Sequence, residues 1–355
     1  MQAKRETSAL LVVSFGGPEQ PAEVRPFLEK VTRGRGVAPG RLDEVESHYR
    51  SLGGRSPIND QVRALIEAIR VELGRMGRPS LPIYWGNRNW HPYLEDAMAQ
   101  MAADGVTDAY AFVTSAFSSY SGCRQYLEDI EGARTAVGPT APSVHKLRVF
   151  FDHPGFIEPL ADRVRAAVDA VRGTVGPRLV FCAHSLPTSM AATCDYERQL
   201  RAAAELVVER VDSRLGWDLV WQSRSGPPRV PWLAPDVGDR LAELAAQGVT
   251  EVVLVPIGFV SDHVEVVYDL DMVALPLATS LGIRTVRAAT VGTDPRFVAM
   301  IVELMEERRS ARHNASPLRL NLSSLGVWPD ACRAECCPRP LGGPAAGPAG
   351  AVPHA

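Results

Sequence analysis

The sequence predicts an α/β fold of two similar Rossmann-like halves, each a parallel sheet with covering helices, facing one another across a cleft. Three observations carry this. Short apolar runs at Leu10–Val13, Leu179–Cys182 and Val252–Val255 have the length and β-branched content of strands buried on both faces. Two of those strands run into turns closed by proline, Ser14-Phe15-Gly16-Gly17-Pro18 and Ala183-His184-Ser185-Leu186-Pro187. The order of segments also repeats. Tyr84-Trp85-Gly86-Asn87-Arg88-Asn89-Trp90 has a counterpart in Val220-Trp221-Gln222-Ser223-Arg224-Ser225-Gly226. Each is followed by an amphipathic helix, a Gly-Val-Thr (Gly105 to Thr107, Gly248 to Thr250) and a further strand.

The elements follow in order. Strands are predicted at Leu10–Val13, Ala109–Thr114, Leu179–Cys182 and Val252–Val255. Helical periodicity places helices at Ala22–Lys30, Asp60–Gly74, Tyr93–Ala103, Ile157–Val171, Tyr196–Leu215, Val237–Gln247 and Pro295–Arg309. Val144 to Pro154 reads as the crossover between the halves. In Val252 to Asp271, Pro256 and Gly258 break the strand and Ser261 or Asp262 is placed to cap a helix. On that helix Glu265 and Asp269 stand four apart, so both carboxylates share one face. The domains are expected at residues 1–150 and 151–312, followed by a cysteine-bearing segment over 313–337. The Pro/Gly/Ala-rich residues 338–355 read as a disordered tail.

Length and composition agree. At 355 residues, a prior of roughly 150 residues per domain suggests two domains. A net charge of -3 gives no reason to expect a nucleic-acid partner. The N-terminus holds only a short apolar run before Ser14, and no stretch reaches the ~18 apolar residues of a membrane span. A cytoplasmic protein is expected, with any membrane contact peripheral. The six cysteines are Cys123, Cys182, Cys194, Cys332, Cys336 and Cys337. In a reducing compartment their clustering suggests metal binding or redox chemistry rather than disulfides.

Parallel strands deliver their loops to one sheet edge. His184, the Arg224 loop, the Glu265 helix and the Phe15 turn should therefore border a shared cleft. An imidazole facing a carboxylate pair can accept a proton or help place a divalent metal. Alone, His184 reads equally as a packed histidine at a strand end, and Glu265 with Asp269 as a solvated helix face. His263, His153 and His145 are weaker candidates. No His-Glu-x-x-His, P-loop or post-strand GxGxxG is present, so a zincin or a nucleotide enzyme is not indicated. Arg33-Gly34-Arg35-Gly36 reads as an anion-binding loop or an exposed basic turn.

Five stretches resemble ferrochelatases: His184-Ser185-Leu186-Pro187, Gln222 to Pro227, Pro256 to Glu265 with its Ser261-Asp262-His263-Val264-Glu265, Ser14 to Pro18, and Gly53-Gly54-Arg55-Ser56-Pro57-Ile58. The resemblance spans about residues 9 to 310, and Arg33 to Gly36 with Gly86 to Trp90 is similar to its actinobacterial branch. It implies two chelatase-type halves around a porphyrin cleft, and a reaction that inserts Fe2+ into the ring and releases two protons. It also implies that His184 accepts protons and helps deliver the metal, that Glu265 assists, and that Asp269 continues a polar path. By the same resemblance the porphyrin is coproporphyrin III and the product coproheme, with protoporphyrin IX as the alternative substrate. Arg33, Arg35, Tyr49, Ser56 and Tyr126 would hold the propionates. The chain departs from the pattern where Phe15 replaces a tyrosine of many relatives. It also carries Val273 at the third acidic position, with Asp271 nearby.

The branch resemblance further implies a [2Fe-2S] cluster on Cys123, Cys332, Cys336 and Cys337, four thiolates being the number such a cluster takes. A zinc ion on the same thiolates is the metal alternative. Cys182 reads as core and Cys194 as a spare. A non-catalytic tetrapyrrole carrier or iron sensor is the competing functional class. The expected partners are coproporphyrin III and Fe2+, with transient contact to neighbouring haem-pathway enzymes or a membrane surface, and the expected state is a monomer.

Overall fold

The computed structural model describes residues 7–34, 39–171, 173, 176–226, 229–333 and 335–339. The first half runs β1 (Ser8–Ser14), α1 (Val24–Thr32), α2 (Pro39–Ser51), α3 (Ile58–Arg75), β2 (Ile83–Asn87), α4 (Leu94–Ala103), β3 (Asp108–Val113), α5 (Gln125–Val137) and β4 (Ser143–Lys146). The second runs α6 (Pro154–Val171), β5 (Arg178–His184), α7 (Thr188–Ala191), α8 (Tyr196–Val211), β6 (Trp217–Gln222), α9 (Val237–Ala246), β7 (Glu251–Val255), α10 (Val264–Val266), α11 (Leu275–Ser280), β8 (Arg284–Arg287) and α12 (Pro295–Arg312). Wide π turns occupy Tyr120–Arg124 and Val267–Ala274.

The strands form two four-stranded sheets, ordered β2-β1-β3-β4 and β6-β5-β7-β8, all neighbours parallel. The second order is the first with four added to each number, so the repeat read from the sequence is a repeat of topology. Chain order reverses beside β1 in one sheet and β5 in the other. An open parallel sheet has its crevice at such a switch point, beyond the strands' C-terminal ends. Phe15 follows β1 and His184 ends β5, which sets both at these crevices.

Central strands are apolar on both sides: Leu10 to Val13 and Leu179 to Ala183 are all fully buried. The halves share one core. Phe112 of β3, Phe150 of the crossover, Phe156 of α6 and Phe297 of α12 pack with ring centroids 5.3 to 6.4 Å apart. Such pairs contribute roughly 0.5–1.5 kcal/mol each beyond area burial. α12 closes the chain by packing on both α6 and α3.

Eight of the labelled elements lie outside the predicted set: the edge strands β2, β4, β6 and β8 and the helices α2, α5, α7 and α11. β4 and β8, Ser-Val-His-Lys and Arg-Thr-Val-Arg, are edge strands with one solvated side and so carry no apolar run. α2 is polar, and α5 follows directly on a π turn that masks its start. The expected helix cap also moves. His263, not Ser261 or Asp262, occupies the cap of α10, in extended backbone and without a side-chain cap bond. Asp262 is instead held by Arg287, which also grips Asp271, so Asp271 is not an open acid replacing the missing one at Val273. Residues beyond α12 form neither helix nor strand up to residue 333 yet are packed: Trp328 meets Phe151 at 5.8 Å and Ser323 Oγ donates to Asp152 at 2.6 Å. Of the expected tail, residues 340–355 lie outside the described residues.

Candidate active site

His184 is delivered by the last residue of β5. Its Nδ1 is 2.6 Å from the Ser185 carbonyl oxygen, which can only accept, so Nδ1 carries the proton. The lone pair of the neutral ring is thereby left on Nε2, 3.7 Å from Glu265 Oε2. Both side chains keep solvent access, at 31% and 48% exposure. The backbone behind is fixed: the Tyr196 hydroxyl donates to the His184 carbonyl at 3.1 Å. Gly258 lets the loop after β7 lie against β5, because a Cβ there would meet Ala183 Cα at 2.9 Å.

Asp269 stands behind Glu265 on the π turn. Burial pushes its carboxyl up to about 6, and the Glu265 charge adds to this. Its Oδ2 accepts from Ser223 Oγ and, at 3.3 Å, from Gln222 Nε2. Burial lowers His263 and His48 and raises Tyr49, and the Glu265 charge acts on all three, which places them around the same carboxylate. α2 thus reaches across the crevice: His48 stacks on Tyr268 at 3.7 Å, and Arg41 donates to the Arg224 carbonyl. Among the described residues a separate cavity of about 200 Å³, between α3 and the loops after β7 and β8, is lined by neither His184, Glu265 nor Asp269.

The shifted Asp269 gives a pH prediction. A carboxyl raised from 3.8 to about 6 binds more protons folded than unfolded. Stability is therefore lost as pH rises through that window. Asp269→Asn removes the penalty. It is expected to raise the melting temperature by about 2 °C at pH 8 and to leave it unchanged below about pH 4, checked by thermal melts across pH.

The other predicted residues are spread around this centre. Phe15 is 38% exposed and meets Phe27 edge-on at 6.3 Å. Arg33 is exposed at the end of α1, beside Lys30, whose Nζ lies 3.5 Å over the Tyr93 ring. Arg35 lies outside the described residues. Tyr49 is buried against Phe27. Ser56 is buried under Gly17, where a Cβ would meet its own at 2.7 Å, and supports the Phe15 turn from below. Tyr126 is buried beneath Arg88, whose guanidinium lies 4.5 Å from the ring and pairs with Asp129. Sequence reasoning missed His48, Gln222 and Ser223. The last two lie inside a repeated segment and inside one of the stretches that resemble ferrochelatases, two signals that pointed to the segment without giving either residue a role.

The four predicted thiols come together. Cys336 Sγ is 3.6 Å from Cys337 Sγ, and Cys332 contacts both Cys123 and Cys336. The bond from Cys332, helped by the positive charges of Lys146 and Arg124, lowers the Cys123 thiol, and Cys332 is raised by the same contact. Arg124 donates to the Cys336 carbonyl at 2.9 and 3.1 Å, tying the segment down. As they stand, no three His, Cys, Asp or Glu side chains among the described residues are placed to hold a metal ion. Cys182 is buried core, as expected. Among the described residues no helix is long and apolar enough to cross a membrane.

A relative from Frankia alni named coproporphyrin III ferrochelatase is 54% identical over 349 residues, 95% of this chain and 88% of its own. One of the same name from Nocardia farcinica is 51% identical over 342 residues, 93% of this chain and 96% of its own. The solved structure of SirB from Bacillus subtilis with Fe3+ superposes with a TM-score of 0.57 at 12% identity, covering 88% of this chain and all of that one, a likeness of fold. The ferrochelatase family profile matches residues 7–309, and the chain belongs to the ferrochelatase family.

Proposed function

We propose that this chain inserts Fe2+ into coproporphyrin III, giving coproheme and two protons. The observation that carries the reading is the His184 Nε2 lone pair facing Glu265 at the switch point of the second sheet. The names of the relatives support the substrate. Two pyrrole N–H groups must lose protons while the ion sheds water. An imidazole with its lone pair fixed toward the cleft can accept such a proton. Glu265 draws the ion and the proton toward Nε2. Asp269, half-ionised near pH 6, passes protons onward to solvent. We divide the machinery between residues 1–150, which bring Phe15, Arg33, Tyr49 and the Ser56 support, and residues 151–312, which bring the acid–base pair. Phe15 offers the ring an aromatic wall and no metal ligand. Arg33, exposed at the end of α1, is a cation able to meet a propionate, and Tyr126 acts through Arg88.

The test is anaerobic mixing with Fe2+ and porphyrin, read by loss of porphyrin fluorescence. Turnover of coproporphyrin III above protoporphyrin IX supports the reading. Binding without metallation would favour a carrier.

We assign Cys123, Cys332, Cys336 and Cys337 as the ligands of a [2Fe-2S] cluster. The four thiols, linked in series from Cys123 through Cys332 and Cys336 to Cys337 and set beside Lys146 and Arg124, would hold an anionic cluster that takes four thiolates. When bound, it supplies a one-electron centre and a staple for residues 313–337. Thiols kept reduced fit a cytoplasmic setting. Cys332→Ser is expected to abolish visible charge-transfer absorption and bound sulfide. Colourless, iron-free wild-type protein purified anaerobically would refute the assignment.

A further inference from the structure

We propose that Ser223 and Gln222 form a clamp that positions Asp269 for metallation, with the left-handed backbone of Ser223 as the device that aims it. The inference rests on the functional reading above.

Ser223 is one of the few described non-glycine residues with a positive φ, at 59°. That region is disfavoured for an L residue, and such strain persists where surrounding structure holds it and clusters at functional sites. Here the conformation follows directly on β6 and turns the hydroxyl onto Asp269 Oδ2, across 46 residues of chain. Gln222, 1% exposed, adds two contacts with one amide: Nε2 lies 3.3 Å from Asp269 Oδ2 and 3.3 Å from the Glu265 carbonyl oxygen. It therefore joins the turn carrying Glu265 to the turn carrying Asp269. Its Oε1 is buried and has no partner. A buried acceptor left open is costly unless something fills it, and a protonated Asp269, whose Oδ2 lies 3.3 Å from Nε2 of the same amide, is a donor able to fill it. The clamp therefore offers Asp269 donors when it is ionised and an acceptor when it is protonated. A group that relays protons needs both.

Strain and hydroxyl are separable by substitution. Ser223→Gly relieves the positive φ and removes the donor. Ser223→Asn suits the same backbone, since Asn enters the left-handed region readily, and restores a donor. The assay uses full-length protein, coproporphyrin III and Fe2+ under anaerobic conditions, with porphyrin affinity titrated separately. Ser223→Gly is expected to keep or raise the melting temperature and to keep porphyrin affinity. Its kcat and its kcat/KM for Fe2+ fall about tenfold, and Ser223→Asn restores them to within about threefold of wild type. Gln222→Leu gives the same kinetic loss. Unchanged metal kinetics in Ser223→Gly overturn the clamp, and so does a parallel loss of porphyrin affinity in both Ser223 variants. A wild-type protein that binds porphyrin and never metallates it overturns the functional reading itself.

Discussion

His184→Ala is expected to lower porphyrin metallation by at least about a hundredfold while porphyrin affinity stays within about threefold of wild type. Loss of a positioned general base typically costs ~10²–10⁴ in rate. The case for the upper part of that range is local. The ring's Nδ1–H is bound to the adjacent Ser185 carbonyl, so its orientation is set by the chain itself and Nε2 has one direction to face. Glu265 cannot take over. It is half exposed to solvent, and a carboxylate is in general a far weaker base than an imidazole. The variant should fold, because the strand end is held by the Tyr196 hydroxyl on the backbone carbonyl rather than by the imidazole. Fluorescence-monitored turnover and a porphyrin titration on the same preparation check both halves of this. Turnover within about threefold of wild type would remove His184 from the reaction.

The fold class was legible in the sequence, and so were the strand ends from which the candidate site is built. His184 was legible only together with Glu265 and Asp269, as a histidine closing an apolar strand beside a second strand that delivers two carboxylates. Glu265 was legible from its place just after the next strand. The repeat pointed to two similar parallel-sheet halves, and their strand orders correspond. What escaped depended on partners far along the chain. His48 matters only because Tyr268 comes to stack on it, and α2, too polar to show a buried stripe, gave no hint of a helix. Ser223 is an ordinary loop serine until its φ is known. Tyr49, Ser56 and Tyr126 were read as hydroxyls for propionates, and the packing places all three beneath the surface, against Phe27, Gly17 and Arg88. Hydroxyl chemistry is visible in a sequence, but the side from which it is covered is not.

Arg148→Ala is expected to destabilise the protein by about 3 kcal/mol, the low end for breaking a buried ion pair. Arg148 sits in the crossover between the halves and is 3% exposed. Its Nε and Nη2 donate to the two oxygens of Glu307 at 2.8 and 3.1 Å, and Nη2 also donates to the Leu320 carbonyl at 2.9 Å. One guanidinium thus joins the crossover, α12 and the start of the thiol segment. Removing it leaves Glu307, 6% exposed, with Arg319 as its remaining cation in that network. Arg319→Ala provides the contrast. Arg319 is 28% exposed and Glu307 keeps its bidentate partner, so the loss should be about 1 kcal/mol. Urea unfolding separates the two variants by midpoint. The same network continues from Arg319 to Asp330, two residues before Cys332, so Arg148→Ala should also speed protease cleavage between 313 and 333. Equal midpoints for the two variants would mean that Glu307 is held as well by the exposed arginine as by the buried one. The crossover would then be fastened by its aromatic packing alone.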